Sequence, residues 1–91
     1  MKFEWDEAKR QSNIRKHGID FADVPEIFNS NILISEDTRI DYDEPRFIVI
    51  GILNGRVIVA AYTEREDVVR IISARKATSN EQLNYFTQIY D

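Results

Sequence analysis

Cationic side chains that could bind a phosphate lie in two stretches of the sequence that contain no carboxylate. The first stretch runs from Ala8 to Ile19 and the second from Val68 to Asn80. Their cationic residues, together with the single histidine of the chain, are Lys9, Arg10, Arg15, Lys16, His17, Arg70, Arg75 and Lys76. Arginine presents a planar fork of donors that suits phosphate, so an anion is the ligand to consider, and RNA is one such polyanion. The alternative is that these arginines only pair with nearby carboxylates.

The acidic residues of the chain gather outside these two stretches. The formal net charge is -4, which argues against a protein that holds nucleic acid through overall basicity, because counterion release rewards many lysine and arginine contacts. The distribution matters more than the sum, since the carboxylates cluster within residues 20–26, 36–44 and 64–67. If the two cationic stretches meet in the fold, they form a positive patch on an acidic protein.

Length and composition favour one domain. A chain of 91 residues supports a single modest core, so residues 1–91 are expected to form one domain.

The composition also bears on the compartment and on metal binding. The chain has no cysteine, no apolar signal region and no apolar run of membrane-spanning length, so we expect a cytoplasmic protein that contacts no membrane. The acidic residues Asp41, Asp43 and Glu44 lack a histidine and the spacing of a metal site, so we expect a solvated loop, with no metal and no cofactor.

The N-terminal third predicts two helices after a short opening segment. Phe3 and Trp5 alternate with a glutamate, which suits an edge strand or a hydrophobic lead-in. Asp6 occupies an N-cap position and Gly18 a left-handed C-terminal position, so one helix is predicted between them. A second helix is predicted to begin at Asp20 or, because a proline at position 25 removes a backbone donor, nearer to residue 23.

The middle of the chain predicts an antiparallel meander. A short apolar run over residues 32–34 opens a strand predicted over residues 32–35. A polar, acidic loop over residues 35–45 follows and is expected to be exposed and mobile. The β-prone runs Arg46–Leu53 and Arg56–Thr63 flank an Asn-Gly pair, the strongest short-range hairpin signal, because both residues accept positive φ. A charged turn then leads into a strand over Val68–Ala74. We therefore expect an α+β fold with the element order β-α-α-β-β-β-β-α.

The C-terminal segment predicts the most clearly marked helix. Thr78 and Glu81 form a capping box, in which each side chain accepts a hydrogen bond from the backbone of the other residue. The apolar residues that recur at helical spacing are Leu83, Phe86, Ile89 and Tyr90. We expect this stripe to belong to the core or to a partner surface.

Arg70 and Arg75 are separated by an odd number of positions in a predicted strand. Side chains of a regular strand alternate between its two faces, so these arginines would point in opposite directions. For both to face one ligand, a β-bulge or the end of the strand must re-aim Arg75.

Several fragments, in order along essentially the whole chain, together resemble the BrnT toxins. They are Phe3-Glu4-Trp5-Asp6 with Ala8-Lys9, Asn13 with Lys16-His17-Gly18, Thr63-Glu64-Arg65, the segment Arg70–Thr78, and Glu81 with Tyr85. The resemblance implies a RelE-like fold and a type II toxin with ribonuclease activity that inhibits translation and growth. It also implies a hetero-oligomer with an antitoxin of the BrnA type, whose ribbon-helix-helix domain binds DNA, so that this chain meets DNA only indirectly.

The resemblance also implies candidate site residues. Cleaving RNA without a metal needs a base for the 2′-hydroxyl, an acid for the leaving 5′-oxygen and positive charge at the phosphorane. A single histidine excludes a histidine pair, which leaves His17 alone or with lysine or tyrosine as proton donor and acceptor. The expected catalytic residues are His17, Lys9, Arg65, Arg75, Lys76 and Tyr85. The expected ligands of RNA phosphates are Arg70, Arg75, Lys76, Lys16 and Asn13.

Simpler interpretations stand beside this one. His17 closes a predicted helix, where positive charge offsets the helix dipole, and Tyr85 suits a partly buried aromatic. The acid content and the lack of basic residues at the start of the last helix favour a non-catalytic or inactivated module, one that binds its antitoxin or RNA without cleavage. A metal-dependent nuclease is a third and poorer option.

Overall fold

The computed structural model describes residues 1–39 and 43–90, which form a five-stranded mixed sheet with helices on both faces. The elements are β1 (Lys2–Trp5), α1 (Glu7–His17), a 3₁₀ helix (Phe21–Asn29), β2 (Leu33–Asp37), β3 (Arg46–Leu53), β4 (Arg56–Arg65), β5 (Val68–Lys76) and α2 (Ser79–Tyr90). The strands lie in the order β1-β5-β4-β3-β2. The α+β class and the order of elements agree with the prediction.

The second predicted helix is a 3₁₀ helix, so the prediction of two N-terminal helices is only partly right. Asp20 caps it by accepting a hydrogen bond of 2.9 Å from the Ala22 N–H. Pro25 lies inside the segment. Since proline has no N–H to donate, it removes an α-helical bond, and the segment takes the tighter winding that short helices tolerate.

The sheet is mixed, which corrects the prediction of an antiparallel sheet. Strands β2 to β5 form the expected antiparallel meander. Strand β1, however, runs parallel to β5, with Lys2 opposite Val68 and Trp5 opposite Ile71. The reason is that β1 and β2 occupy opposite edges of the sheet and are joined through two helices, so no hairpin sets the direction of β1.

The predicted hairpin between β3 and β4 is confirmed. Asn54 has a φ of 52° and Gly55 a φ of 76°, which are the left-handed values that a two-residue turn of this type needs. Two strands are longer than predicted: β4 continues to Arg65, and β5 continues to Lys76. Strand β2 continues to Asp37, inside the predicted loop, and positions 40–42 of that loop lie outside the described residues.

Each face of the sheet buries its own apolar cluster. On one face, the 3₁₀ face, Phe21, Val24 and Ile27 pack against Val49, Leu53, Ile58, Tyr62, Val69 and Ile71. On the opposite face, the α2 face, Tyr85 and Ile89 pack against Val57, Val59, Ile48, Ile50 and Ile52. The two sets alternate along β3 and β4, as a strand covered on both sides requires. Among the described residues, no helix has the length and apolar character needed to cross a membrane.

The start of helix α2 agrees with the prediction, but only part of its predicted apolar stripe is buried. The capping box is confirmed, because the Glu81 N–H donates to Thr78 Oγ1 over 3.2 Å and the Thr78 N–H donates to Glu81 Oε1 over 2.8 Å. Ile89 packs on the sheet. Leu83, Phe86 and Tyr90 are instead 67%, 41% and 69% exposed. The core interpretation is therefore wrong for these three residues.

Candidate functional site

Helix α1 is held beside the sheet by an amide rather than by an apolar face. Strand β1 pairs with β5 only as far as Ile71, and past that point Asn13 occupies the open edge of β5. Its Nδ2 donates to Ala74 O and Ile19 O, both over 2.9 Å, and the Ala74 N–H donates to its Oδ1 over 3.2 Å. Asn13 is the one buried residue of α1. Its side chain thus replaces a neighbouring strand and fixes α1 along β5.

A β-bulge in β5 places Arg70 and Arg75 on the same face of the sheet. The register changes because Ala61 pairs with Ser73 whereas Tyr62 pairs with Ile71, which leaves Ile72 as the additional residue. Arg70 lies opposite Thr63 and Arg75 opposite Val59. Thr63 and Val59 are four residues apart on β4 and so share a face. The re-aiming of Arg75 that the sequence required is therefore achieved by a bulge.

A continuous groove runs between α1 and β5. It consists of three open depressions of about 510, 270 and 480 Å³. The first is lined by Lys9, Arg46, Thr63, Arg70 and Ile72, with Asp43 and Glu44 at its side. The second is lined by Lys9, Ser12, Asn13, Lys16, His17, Ile72 and Ser73, and the third by Lys16, His17, Arg75, Lys76 and Thr78. Shared lining residues join the three into one α1–β5 groove, so the two cationic stretches meet in space.

The cations of the α1–β5 groove differ in how far they are already neutralised. Lys9, Lys16 and Lys76 form no ion pair with any residue in the described ranges. The His17 imidazole is exposed and likewise makes no hydrogen bond within the described part of the chain. Arg70 has one loose contact, 3.5 Å from Nη1 to Glu4 Oε1. The groove can therefore offer positive charge to a polyanion along its whole length.

Arg75 lines the groove and forms a bidentate ion pair. Its Nη1 and Nη2 donate to the two carboxylate oxygens of Glu81 over 2.7 and 2.9 Å. This bond from Arg75 lowers the pKa of Glu81 to about 2, against the opposing effect of burial. The same bond raises the pKa of Arg75. A predicted phosphate ligand is thus tied to the first turn of α2.

A polar row crosses the α2 face at the end of the groove that Arg70 lines. The strand registers place Asp37, Arg46, Thr63, Arg70 and Glu4 side by side on five successive strands. The sequence prediction did not include Arg46 and Thr63. Their pairing could have been predicted from the Asn-Gly turn, because a two-residue hairpin sets the register that places Arg46 opposite Thr63.

Two other predicted residues lie at the margin of the groove or away from it. Arg65 ends β4 and pairs with Glu44, so it is placed at the rim of the first depression. Tyr85 is fully buried on the α2 face, and its hydroxyl donates to Asn31 O over 2.5 Å. Burial raises the pKa of Tyr85. The groove thus brings together Lys9, Asn13, Lys16, His17, Arg70, Arg75 and Lys76, and it does not include Tyr85.

Acidic side chains near the groove do not assemble into a metal site within the described ranges. No group of three or more histidine, cysteine, aspartate or glutamate residues is placed there to hold a metal ion. Asp43 and Glu44 line the first depression, whereas Asp41 lies outside the described residues. Cationic side chains line each of the three depressions, and Asp43 and Glu44 add carboxylates to the first.

Comparison with known protein families assigns the chain to one of them. The model of the family described as "Ribonuclease toxin, BrnT, of type II toxin-antitoxin system" matches residues 5–81. That range contains α1, the whole of β5 and Glu81, and therefore every residue that lines the groove. A comparison with curated proteins returned no match. On the strength of the match to the family, the chain belongs to the BrnT ribonuclease toxins of type II toxin-antitoxin systems.

Proposed function

We propose that this protein is an endoribonuclease that cleaves RNA in the α1–β5 groove without a metal ion and thereby inhibits translation and growth. The observation that carries the proposal is the meeting of both cationic stretches, with the one histidine of the sequence, along a single groove. A groove lined by cations and open to solvent suits an extended RNA strand, because the phosphates supply most of the affinity.

The proposed reaction is attack of a 2′-hydroxyl on the adjacent phosphate. The new bond joins the 2′-oxygen to phosphorus, the bond to the 5′-oxygen breaks, and the products are a 2′,3′-cyclic phosphate and a free 5′-hydroxyl. His17 lines the same depression as Lys16, Arg75 and Lys76, so it transfers a proton beside the cations that stabilise the phosphorane. Lys9, two helical turns before Lys16, is the second proton-transfer candidate.

The remaining predicted residues take supporting positions in this proposal. Asn13 uses its amide to anchor α1, and Arg70 binds an RNA phosphate away from His17. Arg65 lies at the rim through its pair with Glu44. Tyr85 stabilises the contact between α2 and the sheet, because its hydroxyl is buried and already bonded. We therefore leave Tyr85 out of the chemical step.

The proposed partner is an antitoxin of the BrnA type with a ribbon-helix-helix domain. The antitoxin binds DNA, and the toxin is held at DNA only through the antitoxin. A type II system implies a protein antitoxin. The exposed apolar residues Leu83, Phe86 and Tyr90 support a protein partner, since apolar side chains that recur on one helix face mark interaction surfaces. RNA and ribosomes lie in the cytoplasm, so we propose that the toxin acts there.

Inducible expression tests this function. Expression of the chain alone should arrest growth and degrade cellular RNA, and co-expression with the ribbon-helix-helix protein encoded beside it should restore growth. Purified toxin should cleave RNA equally well in EDTA and in added Mg²⁺. Loss of cleavage in EDTA would refute the metal-free mechanism, and intact RNA in the arrested cells would refute the ribonuclease function.

A second candidate is a module that binds RNA or its antitoxin without cleaving. The observation that favours it is that three arginines of the predicted site, Arg65, Arg70 and Arg75, already contact carboxylates. Such pairs reduce the charge that is available to a phosphate. Purified protein that retains a labelled RNA oligonucleotide on a filter, but releases no shorter product after prolonged incubation, would establish this alternative.

A further inference from the structure

The hydrogen bonds of Arg75 within the protein use only part of its donor set. A guanidinium has five N–H groups. In Arg75, Nη1 donates to Glu81 Oε1 over 2.7 Å and to Lys76 O over 3.3 Å, and Nη2 donates to Glu81 Oε2 over 2.9 Å. Three N–H groups are thereby used, and those that remain are the Nε–H and the second N–H of Nη2.

These two remaining donors form the side edge of the guanidinium. They are parallel and adjacent, which is the geometry that binds an oxyanion through two hydrogen bonds at once. The Arg75 side chain is 43% exposed and lines a depression of about 480 Å³ with Lys16, His17 and Lys76. Glu81 therefore binds the terminal nitrogens of the guanidinium and leaves the Nε–H and one Nη2 N–H without a partner among the described residues.

Other arginines of the chain are paired in a different way. Arg10 uses Nε and Nη2 for the two oxygens of Asp20 and Nη1 for Glu7, so its side edge is filled. Arg39 uses Nε and Nη2 for Asp37, which fills the same edge. The pair of Arg75 with Glu81 differs from these two, because it uses both terminal nitrogens and is therefore end-on.

The carboxylate that holds Arg75 is itself fixed in place. Glu81 Oε1 accepts a hydrogen bond of 2.8 Å from the Thr78 N–H, and the Glu81 N–H donates to Thr78 Oγ1 over 3.2 Å. Because both residues belong to the capping box of α2, the position of the Arg75 guanidinium is determined by the helix start. An arginine restrained in this way loses less conformational entropy when it binds a ligand.

We propose that Glu81 is a positioning residue, which locks Arg75 so that its side edge binds one phosphodiester of the RNA strand next to His17. This inference rests on the proposed function for the identity of its ligand. In it, Glu81 acts only through Arg75. The opposite role, in which Glu81 competes with RNA for Arg75, predicts that loss of the carboxylate strengthens RNA binding, so experiment separates the two roles.

The test compares Glu81→Gln with the control Gln82→Ala. Glu81→Gln keeps the shape of the side chain and loses the charged bidentate bond. Gln82→Ala removes a side-chain hydrogen bond to Ala77 O from the same helix start, lies outside the lining of the groove, and leaves the bond between Arg75 and Glu81 in place. We expect kcat for RNA cleavage to fall about 10- to 100-fold in Glu81→Gln, the size of effect that a misplaced catalytic group produces. The control should stay within about threefold of the parent after correction for folded fraction by urea unfolding. Unchanged or tighter RNA binding with unchanged kcat in Glu81→Gln, or an equal loss in Gln82→Ala, would overturn the proposal.

A second measurement is independent of RNA cleavage. The Nε–H signal of Arg75 in ¹⁵N NMR should shift when inorganic phosphate is added to the parent and to Gln82→Ala, and it should broaden and lose this response in Glu81→Gln. If the parent cleaves no RNA but shows these shifts, the proposed function fails and the role of Glu81 stands. If the Arg75 signal of the parent ignores phosphate, the positioning role fails even when RNA is cleaved.

Discussion

Neighbouring residues of the α1–β5 groove have different roles: one can contact a ligand, whereas another holds α1 against β5. His17 closes α1, is exposed and lines two of the three depressions. Asn13, one turn earlier, is 6% exposed, and its amide is committed to the backbone of β5 and to Ile19. Both lie in the same cationic stretch, but only His17 has atoms left with which to act on a ligand.

Replacing His17 with alanine should abolish most of the RNA cleavage and leave RNA binding largely intact. General acid–base catalysis contributes about 10²- to 10⁴-fold, so we expect the cleavage rate to fall by at least about 100-fold. The measurement is the single-turnover cleavage of a labelled RNA, with the affinity of a 2′-deoxy analogue measured in parallel. Arg15→Ala is the control, because it removes another basic side chain from the last turn of α1. Equal activity of His17→Ala and Arg15→Ala would show that His17 only offsets the helix dipole.

Replacing Asn13 with alanine should instead destabilise the protein. The change leaves the N–H and C=O of Ala74 and the C=O of Ile19 without their partner. Each unsatisfied buried group costs about 1–3 kcal/mol, so the free energy of unfolding in urea should fall by at least that amount. Ser12→Ala, one position earlier, should change it by less than about 0.5 kcal/mol. A stable Asn13→Ala protein with impaired RNA binding would instead support the expected phosphate contact of Asn13.

At the scale of elements, β5 joins the two helices that form the site. Asn13 of α1 bonds to its backbone at Ala74, and Glu81 of α2 bonds to its side chain at Arg75. The bulge at Ile72 lies between these contacts and Arg70. Strand β5 therefore sets both the orientation of the arginines and the position of α1, which explains why the groove depends on the local geometry of one strand.

The contact between β5 and α2 should depend on pH. The folded-state pKa of Glu81 lies near 2, below its ordinary value of 4.5. A carboxylate whose pKa is lowered by folding stabilises the protein fully above its unfolded pKa, and this contribution is lost as the pH falls from about 4.5 through 2. Because the pair is partly exposed and screened, we expect Glu81→Gln to lose about 1 kcal/mol at pH 7. The loss should shrink as the pH approaches 2.

Urea unfolding of the parent and of Glu81→Gln between pH 7 and pH 2.5 measures this contribution. The control is Glu26→Gln on the 3₁₀ helix, which makes the same chemical change at an exposed carboxylate without an ion pair in the described residues. Its stability should follow that of the parent at every pH. A stability difference for Glu81→Gln that is independent of pH would show that the carboxylate charge does not hold β5 to α2.

In the molecule as a whole, a protein of net charge -4 lines the groove proposed for RNA with lysine and arginine side chains. Each phosphate contact with single-stranded nucleic acid contributes about -0.7 to the slope of log K against log salt concentration. Lys16→Ala should therefore make the slope for a 2′-deoxy analogue less steep by about 0.7. Lys2→Ala, on an edge strand outside the groove, removes the same charge as the control and should leave the slope unchanged. A larger effect from Lys2 than from Lys16 would place the RNA elsewhere.

Local chemistry made much of the fold predictable. The Asn-Gly turn, the Thr78–Glu81 capping box and the caps of α1 each depend on residues within four positions of one another along the chain. Strand alternation showed that, for Arg70 and Arg75 to face one ligand, a bulge or the end of the strand must re-aim Arg75. The 3₁₀ form of the second helix was harder to predict, because proline admits a kink, a late start or a tighter helix.

The two carboxylate-free cationic stretches, and most of the strands and helices, can be read from the sequence. That the two stretches meet, and which partner each charge has, follows from the fold. Asn13 and Ala74 lie 61 positions apart, and β1 joins β5 across nearly the whole chain. The end-on pair of Arg75 with Glu81 depends on where α2 begins relative to the last residues of β5. Contacts of this kind arise from packing distant elements together, so local sequence patterns do not encode them.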